Sequence, residues 1–358
     1  MDDFIQTNRK GLEALKRISA QLGARADYVQ GGGGNTSVKL PGGKMAIKAS
    51  GYCLKDIDLD RAYAVLDADA LRSFYLNSVP EQIEDVERAG AQRAKDAILP
   101  VEGMPALRPS VEAGFHSLLK TCVAHTHSVY ANLATCAADG REMARQALAG
   151  ADYAWAFVPY TDPGARLTFS IRDEMARVER SDGRRPAVIL LENHGVIVHA
   201  DTPEECLRLH ADANQRLAAA FGVRDGDFPG AQLDLVGDGV YEVRCPMLSE
   251  ALRSGRYDEK FLLQSPLYPD QMVFLTGSFR FGDAPEADMC VADPRTGVVR
   301  IQMPEAKTQV IADTLACVIY ICETLRASGH ALSTMDDAAR TFIANWESEK
   351  YRKSLAGR

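Results

Sequence analysis

Apolar residues recur at helical spacing through the first two dozen positions, at Phe4-Ile5, Leu12, Leu15, Ile18 and Leu22, with Gly23 just beyond as a stop. That pattern predicts an amphipathic helix. The period breaks over Val29–Ser37, where Gly31-Gly32-Gly33-Gly34 precede Asn35-Thr36-Ser37, and this stretch reads as irregular. Val38-Lys39-Leu40, a Pro41-Gly42-Gly43 turn and Met45–Lys48 then read as a hairpin. A strand over Ala62–Val65 leads into a helix from Asp67 to Asn77. The charged stretch from Pro80 to Leu107 is helix-biased in its middle, and Pro100, Gly103 and Pro105 mark a loop at its end. Ser110–Lys120 predicts a helix with Ser110 at its N-cap, and Cys122–His125 a buried strand. Ala187–His199 is a strongly apolar β segment broken by Asn193-His194-Gly195; a helix follows from Asp201 to about Phe221, with Pro203 in its first turn.

Glycine and aspartate accumulate from Gly222 to Gly239, which marks a boundary between a domain over 1–222 and an α+β extension over 223–358. Within the extension, Met272–Leu275, Met289–Val291 and Val298–Ile301 read as short β runs. A long apolar helix is expected from Glu305 to about Leu325, and a final one from Met335 to about Lys350.

With 358 residues, 46% of them hydrophobic and 25% charged, the chain has ample material for a core and the composition of an ordinary globular protein. A net charge of −8 argues against a general affinity for nucleic acid or anionic membranes. The start lacks a signal sequence and no run of eighteen apolar residues occurs, so a cytoplasmic location is expected. The eight cysteines are scattered and mostly set in apolar runs, which suggests reduced, buried thiols rather than disulfides or a zinc cluster.

Chemistry concentrates in three segments. His125 and His127, at i and i+2 at the end of an apolar strand, leave the same face of a pleated ladder, so both imidazoles can meet one metal. An isolated His-x-His is more often an ordinary polar strand end. His194, between two β segments and followed by Gly195, adds the third nitrogen of a catalytic zinc site with an open position. Glu112 stands among apolar residues; near a metal and partly desolvated it would suit a general base, whereas alone it would be a helix-start carboxylate. His116, four residues on, reads as a core histidine or a partner to the site, and His199, His210 and His330 as structural or solvated. The glycine run fits neither a dinucleotide fingerprint nor a P-loop. With Asn35-Thr36-Ser37, and with Lys48 beside the Ala49-Ser50-Gly51 turn, it offers backbone N–H groups and small polar side chains for an oxyanion, or else a flexible connector.

Gly34-Asn35-Thr36-Ser37, Ala49-Ser50-Gly51, Pro109-Ser110-Val111-Glu112, His125-Thr126-His127, Val158-Pro159-Tyr160 with Pro163-Gly164, and Asn193-His194-Gly195 occur in one order. Over about the first 220 residues the chain thereby resembles the zinc-dependent class II aldolase/adducin family, which includes fuculose-1-phosphate and rhamnulose-1-phosphate aldolases. The wording around Gln30–Lys39 and Lys48–Gly51 is similar to long forms fused to a short-chain dehydrogenase, though the residues after 220 carry neither that enzyme's glycine-rich fingerprint nor its Tyr-x-x-x-Lys.

The resemblance implies an α/β fold, an α/β/α layered domain with a mainly antiparallel central sheet, to which a C-terminal α+β appendage is added. It implies that His125, His127 and His194 hold Zn2+ or another divalent metal, and that Glu112 is the general acid/base. Asn35, Ser50, Gly51 and Ser110 would bind the phosphate or an equivalent anion, with Lys48 in support, and Tyr160 would be the catalytic tyrosine. The implied reaction is cleavage of a (deoxy)ketose 1-phosphate to dihydroxyacetone phosphate and an aldehyde such as lactaldehyde through a metal-bound enediolate, in a homotetramer or other homo-oligomer. Val111 departs from the pattern, since phosphate-binding aldolases have a second hydroxyl residue there. Relatives that decarboxylate sugar-acid phosphates or epimerise pentulose phosphates give a second reading, and a non-catalytic adducin-like interaction protein a third. Intact candidate ligands and an intact Glu112 weigh against the last.

Overall fold

The computed structural model describes residues 2–345. The chain divides into two units: one comprises the chain up to Arg25, Gly32–Thr126 and Leu148–Ala213, the other Ala26–Gly31, His127–Ala147 and the chain from Asn214 onward.

In the first unit, α1 (Asp2–Gly23) buries the apolar stripe expected of it, with Leu12, Leu15, Ile18 and Leu22 all at most 2% exposed. The hairpin β1 (Asn35–Leu40) and β2 (Lys44–Lys48) follows, then β3 (Tyr63–Asp67) and α2 (Ala68–Asn77), whose N-cap Asp67 accepts a hydrogen bond from the Ala70 N–H at 2.9 Å. Next come α3 (Val86–Asp96), α4 (Ala113–Leu118) and β4 (Cys122–Thr126). After α5 (Val129–Thr135) and α6 (Gly140–Ala147), which belong to the second unit, the chain returns through β5 (Trp155–Val158), α7 (Ala165–Asp182), β6 (Val188–Leu191), β7 (Gly195–Ala200) and α8 (Pro203–Ala220), which is counted with the first unit up to Ala213.

The sheet of this unit has the strand order β3-β2-β1-β4-β7-β6-β5, and every pairing is antiparallel except β5 with β6. Its central strands are buried along their whole length, which is why they read as continuous apolar runs rather than alternating ones. On one face Val123, Ile189, Leu191 and Ile197 pack with Phe115 of α4 and with Leu167, Ile171 and Met175 of α7. On the other, Ser19 of α1 meets Thr36 and His210 of α8 meets Thr126. The result is three layers, helix on sheet on helix.

In the second unit α9 (Pro246–Arg253), α10 (Glu259–Gln264), α11 (Pro269–Leu275), α12 (Glu305–Ala327) and α13 (Asp337–Asn345) accompany a sheet of β8 (Gln232–Gly237), β9 (Val240–Arg244), β10 (Phe279–Phe281), β11 (Cys290–Ala292) and β12 (Val299–Ile301). Its order is β10-β11-β12-β9-β8, and β10 with β11 is the parallel pair. The long helix α12 is buried along most of its length and packs on α5, α9 and α11.

Several expectations need correction. Asn35-Thr36-Ser37 is strand, because its backbone groups pair with β4 in the register Asn35 to His125 and Ser37 to Val123. Glu112, not Ser110, occupies the N-cap position of α4, and that helix is only six residues long. Met272–Leu275 lies in a helix rather than a strand; Pro269 opens it at a position that needs no N–H. The Gly- and Asp-rich stretch contains half of a hairpin, β8 with β9, turned at Asp238-Gly239, where both residues take positive φ. The last helix begins at Asp337, and its expected continuation to Lys350 lies outside the described residues. None of the eight cysteines is in a disulfide, and seven are buried.

Candidate metal centre

Two local features bring the first candidate ligands together. Gly34 has φ +59°, and a Cβ there would stand 2.6 Å from the carbonyl oxygen of His125, so only glycine lets β1 start flush against β4. Asn193 also takes a positive φ, +49°, in the tight turn between β6 and β7, which places His194 at the end of the sheet beside His125. The two rings are edge to face with centroids 4.9 Å apart.

One ligand atom from each of His125, His127 and His194 lies within 4.8 Å of the others, and all three residues are buried; this is the one such group found among the described residues. The donor set fits a divalent cation. Nδ1 of His125 faces the Val196 carbonyl oxygen at 3.1 Å, and Nδ1 of His127 faces an Asp270 carboxylate oxygen at 2.5 Å. Both acceptors require the proton on Nδ1, which directs the lone pair of each Nε2 to a ligand.

Glu112, 3% exposed, sets its carboxylate across this group, with Oε2 3.5 Å from His125 Nε2 and Oε1 3.5 Å from His194 Nε2. Its orientation is held from behind. Asn35 Nδ2 donates to Glu112 Oε2 at 2.6 Å, the Asn35 carbonyl oxygen bonds His116 Nε2, and His116 Nδ1 meets Ser37 Oγ at 2.7 Å. Since the Asn35 amide nitrogen is the donor to the carboxylate, its oxygen must accept, so His116 carries its proton on Nε2 and accepts from Ser37 on Nδ1. Complete burial, then the charges of Lys39 and His125, push the His116 pKa well below its ordinary value, so the ring is neutral. His116 therefore belongs to the support of the site, and its place four residues after Glu112 was the signal for it.

The remaining sequence candidates lie as follows. The Ala49–Pro109 bridge, with Ser50 N–H donating to the Arg108 carbonyl and Ser110 N–H to the Lys48 carbonyl, lays the Ser50-Gly51 turn beside Ser110. Ser110 Oγ accepts from the Glu112 N–H at 3.3 Å. Lys48 is buried, and its ammonium donates to the carbonyls of Gly32 and Tyr52, tying the glycine loop to that turn. Tyr160, half-buried after β5, takes Glu192 Oε2 on its backbone N–H at 2.9 Å and sets its hydroxyl 3.4 Å from Asp162. His210 braces Thr126, the last residue of β4, between His125 and His127 in the chain, at 2.8 Å. His199 is buried and pushed down to about 3 by desolvation, and His330 meets Asp139. Neither His210 nor Asp270 carried a sequence signal that tied it to the site.

The profile of class II aldolase and adducin N-terminal domains matches residues 13–219, more than half of the chain. A curated relative, the uncharacterized oxidoreductase YuxG of Bacillus subtilis (strain 168), is 28% identical over 208 residues, which are 55% of this chain and 27% of that protein. The chain thus spans about a quarter of the length of that relative. Among solved structures, the N-terminal class II aldolase domain of a conserved protein from Thermoplasma acidophilum is 22% identical, with a TM-score of 0.47, over 57% of this chain and 91% of that one. An L-fuculose-1-phosphate aldolase from Thermus thermophilus is 17% identical, with a TM-score of 0.33, over 58% and 92%. Among the described residues no helix is long and apolar enough to cross a membrane.

Proposed function

This chain belongs to the family of class II aldolase and adducin N-terminal domains, and from that premise we propose that it is a metal-dependent carbon–carbon lyase. Its substrate is a (deoxy)ketose 1-phosphate or a related ketose, cleaved to dihydroxyacetone phosphate and a short aldehyde. The observation that carries the reading is the placement of the Glu112 carboxylate 3.5 Å from the Nε2 atoms of both His125 and His194. A proton-moving group thereby sits within reach of any substrate atom bound at the imidazoles.

A divalent cation held by His125, His127 and His194 would act as a Lewis acid, polarising the ketose carbonyl and drawing off negative charge. The protein's own residues do the rest. As C3–C4 breaks, the C4 hydroxyl gives its proton to solvent and becomes the aldehyde, while Glu112 in its protonated form delivers a proton to C3 of the three-carbon fragment and is reprotonated from solvent, so no net proton is consumed. Asn35 holds Glu112 through Oε2, so the carboxyl group meets C3 in one orientation. Ser50, Gly51 and Ser110 are assigned to the anionic end of the substrate, a role supported by their adjacency across the Ala49–Pro109 bridge. Lys48 supports them by tying the two turns together through the carbonyls of Gly32 and Tyr52.

A coupled assay of the zinc-loaded protein over ketose 1-phosphates, unphosphorylated ketoses and 3-oxo acid phosphates tests this. Aldehyde and dihydroxyacetone phosphate should appear together, and Glu112→Gln should lower their release by about 10²–10⁴-fold with zinc still bound. Carbon dioxide release from a 3-oxo acid phosphate without aldehyde would replace the aldol reading with decarboxylation. Loss of zinc from Glu112→Gln would make the carboxylate a ligand.

A further inference from the structure

Asp270 is wholly buried, on the first turn of α11, and its Oδ2 lies 2.5 Å from His127 Nδ1. A carboxylate with no exposure is costly unless it is bonded or paired, so its place beside that one ring nitrogen calls for a reason. The segment that carries it is tied down by hydrogen bonds and packing. Gln271 accepts from the Leu267 N–H and donates to the Leu262 carbonyl, both at 2.8 Å, and α11 packs on the buried helix α12. Tyr268, also buried, stands edge-on to the His127 ring with centroids 6.3 Å apart. The imidazole is thus confined by the ring of Tyr268 and the carboxylate of Asp270, both from the chain that follows the aldolase-like region.

We propose that Asp270 is a positioning residue for the metal ligand His127, and that the C-terminal extension is therefore part of the machinery that holds the metal. The hydrogen bond keeps the proton on Nδ1, fixes the ring plane and strengthens Nε2 as a donor. This rests on the reading of His125, His127 and His194 as ligands.

Zinc affinity of the full chain, measured in competition with a chromophoric chelator, tests the proposal with metal-free melting as a second readout. Asp270→Asn, which keeps an acceptor for Nδ1 but loses the charge, should weaken binding about 10-fold, and Asp270→Ala about 100-fold. Both variants should still melt cooperatively without metal. In a His127→Ala background the Asn substitution should change zinc affinity no further. Unchanged affinity in the folded single variants would overturn the proposal. So would loss of the metal-free cooperative melt in Asp270→Asn, which would make the aspartate a structural support of the second unit. If the unaltered protein takes up no zinc, the metal reading itself fails, and the inference with it.

Discussion

The two ends of the seven-stranded sheet treat polarity in opposite ways. At the end where β1 starts and β4 finishes, Asn35, His116, Glu112 and His125 are all buried, and hydrogen bonds join Asn35 to both Glu112 and His116. At the other end a cleft of about 270 Å³ gathers Lys39, Lys44, Arg72 and Lys120 with Asp69 and Asp201. Water reaches Asp69, Arg72, Lys120 and Asp201: Lys120 and Asp201 pair at 2.8 Å with side chains 45% and 68% exposed, a geometry that contributes little to stability. Out of water, a polar group needs a partner at a set angle, and neutral imidazole supplies one without a charge to solvate. In water, charges can accumulate with loose pairing. The same strand, β1, serves both regimes within six residues.

The contrast breaks most severely if the buried end tolerates loss of a ring. His194→Ala should lower zinc affinity at least ~100-fold, as read by chelator competition, because a three-nitrogen site is left with two. A smaller effect is expected one layer back. His116→Ala strips both Asn35 and Ser37 of a buried partner and should cost about 2–4 kcal/mol in urea unfolding, with the zinc stoichiometry unchanged. A cost near zero would mean that the chain behind Glu112 is not the constraint described.

The mildest test falls on Lys39, which belongs to both ends. Its ammonium donates to the His116 carbonyl at 2.5 Å, and burial, then the charge of Arg72, lowers its pKa to about 7 from 10.5. Between those two values the unfolded chain holds the proton and the folded one releases it, so this residue makes stability rise with pH across that window. Lys39→Met should therefore gain most over the unaltered protein below about pH 7, and the gain should shrink towards pH 10.5. Urea midpoints that keep a constant separation across the window would place the lysine in a solvated setting.

What the sequence could disclose follows the range of each interaction. The helical stripe of α1, the His-x-His at the end of β4 and the turn around His194 are local patterns, and each was legible. His116 was half legible: its offset from Glu112 suggested a partner, but the atoms it bonds belong to Asn35 and Ser37, far back in the chain. Met272–Leu275 misled because a short apolar run fits either period, and the decisive feature, Pro269 after an extended Tyr268, lies outside the run. The β8–β9 hairpin hid inside a composition typical of a linker. Asp270 is one acidic residue among 49, and its meaning comes only from a ring 143 positions earlier.

That separation carries a consequence for synthesis. Asn35 and Glu112 are 77 residues apart, and His127 and Asp270 are 143 apart, so these bonds close long loops whose entropy must be met before they form. On the ribosome, His125 of β4 and His127 just beyond it are complete long before the aspartate beside the His127 ring has been made. On the proposed reading, a nascent chain would present imidazoles to passing ions well ahead of owning the finished cage, and tight retention of a cation would mark a fully made and folded protein.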